Sequence, residues 1–254
     1  MGERRSYEPG AFCWADIGTS DVEGAKAFYG RLFDWESQEV AEGGGAYVLL
    51  RRDGHEVAGL YPKQDESVPT VWLSYIAVED VEASTQRAEE HGAHIIAPPF
   101  DAARYGRGAV LADPTGAVVG LWQAGDHPGA TLVNVPGAPT WNELNTRGVE
   151  QAIEFYGALF GWSIDRIPEA DPAYWTITNG GRVNGGMREL DDQAPGPFWL
   201  EYFAVEGVDT ATRGVRELGG RILVEPMSVP AGRFSVAADP QGGVFALFEG
   251  ELDD

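Results

Sequence analysis

A chain of 254 residues is long enough for two domains of ordinary size, each able to bury its own core without staples. Forty Asp and Glu stand against eighteen Lys and Arg, and such a field repels phosphate backbones and anionic lipid, so neither nucleic acid nor membrane is an expected partner. The single cysteine, Cys13, excludes an intrachain disulfide framework and any multi-cysteine metal cluster. With no signal-like segment and no apolar run of membrane length, the chain reads as cytoplasmic.

A short strand is expected around Phe12 to Ile17, followed by a helix from about Val22 to Phe33. The helix is drawn by Ala25, Phe28, Tyr29, Leu32 and Phe33, which fall on one stripe, with Asp21 as its N-cap. Short strands follow: one ending near Gln38 to Val40, then Ala46 to Arg51 and Val57 to Tyr61, parted by glycine-rich or Asp-Gly turns. A strand at Val71 to Val78 leads to a helix at Val81 to His91, closed by Gly92. Strands at His94 to Ala97, Ala109 to Ala112 and Val118 to Trp122 complete this stretch, the last two joined by the type I turn Asp113-Pro114-Thr115-Gly116. Gln123 to Ala138, rich in Pro and Gly, carries no periodic pattern and reads as a linker.

The chain then repeats itself at a shift of 127 residues. Trp14 returns as Trp141, Phe28-Tyr29-Gly30 as Phe155-Tyr156-Gly157, Trp35 as Trp162, Tyr47 as Tyr174, and Trp72-Leu73 with Tyr75 as Trp199-Leu200 with Tyr202. One loop residue is lost, after which Asp113-Pro114 returns as Asp239-Pro240. Two copies of one unit are therefore expected. The fold class is α+β, with four βαβββ units in two modules at 1–124 and 138–254, joined by a linker at 125–137.

The recurring pattern of Phe-Tyr-Gly-x-Leu-Phe-x-Trp, then Trp-Leu-x-Tyr-x-Ala-Val-Glu, then Gly-Arg and Asp-Pro-x-Gly resembles the vicinal oxygen chelate superfamily. That group includes glyoxalase I, bleomycin-resistance proteins and extradiol dioxygenases. The resemblance implies that each module is an incomplete barrel whose concave face forms a ligand cleft. It also implies where a divalent metal would be held in catalytic members. A His fourteen residues before the Phe of the Phe-Tyr pair corresponds here to Trp14 and Trp141. A second ligand position corresponds to Leu73 and Leu200, and a carboxylate position to Gly120 and Ala246. The strand holding Gly59 or Gly186 offers no Glu on the expected face. None of these side chains is a metal donor, so no metal and no cofactor is expected, and glyoxalase or dioxygenase chemistry is disfavoured.

By strand alternation, Trp14 and Asp16 share the concave face of the first copy, as do Trp141, Glu143 and Asn145 in the second. Tyr75 and Tyr202 join them from the neighbouring strand, and Arg182 is a further polar candidate for the second cleft. Asn142 and Glu201 fall on the opposite, apolar face, which suits neither. Two readings stand. One is a metal-independent binding protein holding a small hydrophobic or aromatic molecule against Trp14, Tyr75, Trp141, Asn145, Arg182 and Tyr202. The other is a metal-independent isomerase, cyclase or lyase using Glu143 or Asp16 as acid or base. Whether the chain is an enzyme stays open at this point, and either a monomer or a homodimer is compatible with the fused modules.

Overall fold

The computed structural model describes residues 2–40, 46–65, 67–190 and 196–250. The first copy runs β1 (Phe12–Thr19), α1 (Val22–Phe33), β2 (Glu36–Val40), β3 (Tyr47–Arg52), β4 (His55–Pro62), β5 (Val71–Ala77), α2 (Val81–Glu90), β6 (His94–Asp101), β7 (Gly106–Ala112) and β8 (Val118–Ala124). The second runs β9 (Pro139–Thr146), α3 (Val149–Phe160), β10 (Ser163–Arg166), β11 (Tyr174–Asn179), β12 (Arg182–Glu189), β13 (Phe198–Ala204), α4 (Val208–Glu217), β14 (Arg221–Val229), β15 (Gly232–Ala238) and β16 (Val244–Gly250). The fold is α+β, with the expected repeated units. The expected helix at Val22 to Phe33 is found, and Asp21 caps it by accepting from the Gly24 amide at 2.9 Å. The glycine-rich turn expected before Ala46 lies outside the described residues. No described helix is long and apolar enough to cross a membrane.

Each copy makes one open eight-stranded sheet, in the order β2-β3-β4-β1-β5-β8-β7-β6 and its equivalent β10-β11-β12-β9-β13-β16-β15-β14. β1 lies parallel to β4 and antiparallel to β5, and β5 lies parallel to β8. These strands form the centre of the sheet, so their side chains have the least access to water.

The two sheets share their cores crosswise. Ile17, Phe28, Tyr29, Phe33, Trp35 and Trp72 of the first copy pack with Phe203, Val215, Phe245 and Leu247 of the second. In the same way Ile76, Val81, Leu111 and Leu121 pack with Phe155, Tyr156, Leu159, Trp162 and Trp199. Burying each such side chain contributes about 1.5–3 kcal/mol, and here much of that burial depends on the other copy.

The repeated motifs owe their recurrence to this crossing. The Tyr29 hydroxyl donates to Asp239 Oδ2 at 2.9 Å, and Tyr156 donates to Asp113 Oδ2 at 2.8 Å. Trp72 and Trp199 donate in turn to those tyrosine oxygens, at 3.1 and 2.9 Å. The other carboxylate oxygen of each Asp holds its own turn, accepting from the Thr115, Gly116 and Ala117 amides or from those of Gln241 and Gly243. Trp35 donates to the Gly137 carbonyl at 2.7 Å, and its equivalent Trp162 to that of Gly10 at 2.9 Å. Reciprocal contacts of this kind are those of an approximate twofold axis between the copies.

At that axis lie the two residues that fitted the apolar face badly. Glu201 is buried, and its Oε2 accepts from Ser74 Oγ at 2.8 Å and Asn142 Nδ2 at 2.6 Å. Burial pushes the Glu201 carboxyl up to about 8, against the pull of the two donors.

Replacing Tyr29 or Tyr156 by Phe leaves a buried carboxylate and an indole N–H short of a partner, which should lower stability by about 1–3 kcal/mol. Urea unfolding checks this. Because the cores are shared, tryptophan fluorescence and far-ultraviolet circular dichroism should trace one coincident transition.

Candidate ligand clefts

The face of each sheet opposite the shared core carries its own smaller cluster. In the first copy Trp14, Leu49, Leu73, Tyr75 and Trp122 gather there with Ala130 of the linker. In the second, Leu200, Tyr202 and Ala246 are joined by the half-buried Trp141, Phe234, Val236 and Phe248.

Strand register sets the inner arrangement. Trp14 stands opposite Tyr75, while Asp16 lies between Leu73 and Gly59 on the flanking strands. Trp141 stands opposite Tyr202, and Glu143 lies between Leu200 and Gly186. A hydrogen-bonded chain runs through the first site: Trp14 Nε1 donates to the Tyr47 hydroxyl at 2.9 Å, and that hydroxyl donates to Asp16 Oδ2 at 3.0 Å. Its equivalent begins with Trp141 Nε1 donating to Tyr174 at 3.1 Å. Asn145 donates to Glu143 Oε1 at 3.2 Å.

Both carboxyls are buried, Asp16 at 4% and Glu143 at 5% exposure, and burial raises the proton affinity of each. The Asp16 carboxyl is pushed up to about 7 by desolvation, with Tyr47 and Tyr75 pulling the other way. Asp16 Oδ1 is buried with no hydrogen-bond partner among the described residues. The Glu143 carboxyl also lies above its ordinary range because of burial, while the Arg188 charge, Asn145, Tyr174 and Tyr202 act to lower it.

Sequence reasoning brought together Trp14, Asp16 and Tyr75, and likewise Trp141, Glu143, Asn145 and Tyr202. Arg182 is not among them: it is exposed at the start of β12, paired with Asn179 in the hairpin. The cation whose charge reaches Glu143 is Arg188, across from Tyr174 and beside Asn145. Tyr47 and Tyr174 join these clusters through their hydroxyls, and their recurrence at the 127-residue shift is the signal in the sequence that points to them. His127 had no such signal. It leaves the linker to contact Glu56 (Nδ1 to Oε2, 2.8 Å), with its ring edge-on to Trp14 at 4.4 Å. Arg107 and Arg233, repeated in both copies, pair with Asp101 at 2.6 Å and Asp209 at 2.8 Å.

The two clefts differ in access. Trp14 is 7% exposed and Trp122 is 8% exposed, closed in by His127 and by Tyr7, whose hydroxyl donates to the Ala130 carbonyl. Trp141, Tyr174, Arg188, Phe234 and Phe248 are all only half-buried, so the second cleft presents an aromatic wall to solvent.

A profile of the Glyoxalase/Bleomycin resistance protein/Dioxygenase superfamily matches residues 12–121 and again residues 139–247. The chain belongs to this superfamily. It is 37% identical over 256 residues to "Putative glyoxylase CFP32" of Mycobacterium tuberculosis, covering 98% of each chain. It is 34% identical over 264 residues to the anthracycline biosynthesis protein DnrV of Streptomyces peucetius, covering 96% of this chain and 94% of that one. Among solved structures, the Mn(II)-bound glyoxalase from Novosphingobium aromaticivorans superimposes with a TM-score of 0.67 at 16% identity, covering 100% of this chain and 84% of that one. The 2,3-dioxygenase LapB from Pseudomonas sp. KL28 gives 0.65 at 15% identity, with 99% and 93% covered. At such identities the likeness is one of fold.

The superfamily's metal does not fit the residues present. The positions of its ligands hold Trp14, Leu73 and Gly120, or Trp141, Leu200 and Ala246, which supply no donor. The space is also taken. A Cβ at Gly120 would lie 2.2 Å from the Tyr75 ring, and one at Gly59 or Gly186 would lie 1.9 Å from the Tyr47 or Tyr174 hydroxyl. No group of three or more His, Cys, Asp or Glu among the described residues converges for a metal.

The Asp16 carboxyl generates a pH prediction. The unfolded chain releases this proton near the ordinary value of about 4, whereas the folded protein holds it to about pH 7. Between those values the unfolded state binds fewer protons, so this group's contribution to stability falls as pH rises and levels off above the folded value. Asp16→Asn removes the effect. Its melting temperature relative to wild type should therefore be higher at about pH 8 than at about pH 4.

Proposed function

We propose that the protein binds a planar aromatic small molecule in the second cleft, without a metal. What carries this reading is the half-buried aromatic wall of Trp141, Tyr174, Phe234 and Phe248 above the buried Glu143 carboxyl. Aromatic faces give a flat ligand a large contact area at little conformational cost, and a few polar groups then fix its orientation. Support also comes from DnrV and a second Streptomyces relative, DauV, both named for anthracycline biosynthesis, since an anthracycline is a flat polycyclic aromatic. Metal independence is supported by the donorless ligand positions and by the tyrosine rings that fill the space a donor would need.

The second reading, acid or base catalysis on such a compound, is favoured by the enclosed Glu143 carboxyl with its raised proton affinity. It places the chemistry in the same cleft. Asp16 occupies the equivalent position beneath the closed first cleft.

Titration with polycyclic aromatic compounds should quench tryptophan fluorescence saturably. The quench should survive chelator treatment and be lost largely in Trp141→Phe but not in Trp14→Phe. Absence of a quench across the series, or its loss on chelation, would overturn the binding reading. For the catalytic reading, Glu143→Gln should abolish product formation while leaving affinity within about tenfold, roughly 1.4 kcal/mol. Undiminished turnover in that variant would remove it.

A further inference from the structure

The inner faces of the two clefts differ by one full charge. Tyr61 of the first copy is replaced by Arg188 in the second. Both occupy the same place in their sheets: Tyr61 pairs with Gly18 on β1, and Arg188 with Asn145 on β9. In the first cleft, the Tyr61 ring lies nearly parallel to that of Tyr47, with centroids 6.3 Å apart and planes at 9°. In the second, Arg188 stands across from Tyr174, and its positive charge acts on Glu143, Tyr174 and Tyr202 together.

Arg188 Nε is buried and has no hydrogen-bond partner among the described residues. A shielded charged donor without an acceptor is costly, because the water it has lost is not replaced. An acceptor supplied by a ligand would offset that cost. Arg107 and Arg233, by contrast, already hold carboxylates outside the cleft. What Arg188 Nε lacks among the described residues is an acceptor oxygen, and a charge-assisted hydrogen bond there is about twice as strong as one between neutral groups. The Glu143 carboxylate, close by, has the charge of Arg188 beside it, and burial raises its affinity for a proton.

Resting on the ligand reading above, we propose that Arg188 makes the second cleft selective for planar aromatic compounds bearing an acidic hydroxyl, a phenol or enol, bound as the oxyanion. The ligand O–H bond breaks and its proton passes to the Glu143 carboxylate. The electron pair stays on the ligand oxygen, whose negative charge is met by the Arg188 guanidinium. The net charge of the cleft with its ligand does not change, and no group outside the cleft takes part. The first cleft has a carboxyl, Asp16, but a neutral phenol where the cation would be needed. It cannot hold the oxyanion in the same way.

The test uses two probes of nearly one shape, 2-hydroxyanthraquinone and 2-methoxyanthraquinone, with the intact protein at about pH 6, well below the ordinary phenol value. The hydroxy compound should bind at least about tenfold tighter than the methoxy compound. Once bound, it should show the red-shifted absorbance of its phenolate. Arg188→Gln and Arg188→Tyr should each abolish both the preference and the phenolate band. The second variant installs the residue that the fold already carries at the equivalent position, and circular dichroism verifies that both fold. Equal binding of the two probes to wild type overturns this proposal and leaves the ligand reading standing. A preference or band that survives Arg188→Gln does the same. Binding of neither probe overturns both.

Discussion

Two crossed hydrogen bonds, Tyr29 to Asp239 and Tyr156 to Asp113, fasten the first helix of each copy to a turn of the other. Each Asp serves two masters, since one oxygen holds its own turn and the other reaches across. Neither helix can leave the shared core without leaving a buried carboxylate oxygen short of its donor. This assigns the faces of the sheets: one face of each is committed to the other copy, and only the opposite face can receive a ligand.

Connectivity then separates the two clefts. A single linker can lie against only one of them, and it lies against the first. Thr131 is bonded to β4 both ways, its N–H donating to the Glu56 carbonyl at 2.7 Å and its Oγ1 accepting from the Glu56 N–H at 2.9 Å, and His127 packs its ring on Trp14. The first cleft thereby acquires the character of a small core, while the second keeps its aromatic wall half open. The equivalence of Trp14 and Trp141 in sequence conceals this difference in access.

Most of the fold was legible because its signals are local and periodic. The stripe from Ala25 to Phe33 gave the first helix its bounds, and Asp-Pro-x-Gly marked its turns. The repeat extended both to the second copy. The crossed packing was not legible, because a helix stripe says that a face is buried without saying against what. Asn142 and Glu201 were the trace of it: polar residues on an apolar face signal a partner not yet placed, and the partner was Ser74. Within the site, alternation placed Trp14, Asp16, Trp141 and Glu143 correctly on one face. It could not find Arg188, because that requires the register of β12 against β9, which no sequence period encodes. Arg182 stands where the copies differ, with His55 at the equivalent position, and divergence marks a change without locating it.

The Ser74–Glu201 contact joins positions that are equivalent in the two copies, separated by 127 residues. Any assembly of identical halves must set like against like at such a point. Two glutamates there would face each other in a dry interface, one forced to keep its proton, and two serines would leave the space underfilled. Serine against glutamate is closed to an assembly of identical halves and open to a chain that carries two differing copies. Covalent fusion here therefore did more than tether two equal partners. It allowed the seam between them to become unlike on its two sides, and having become so, this chain is no longer built from interchangeable parts.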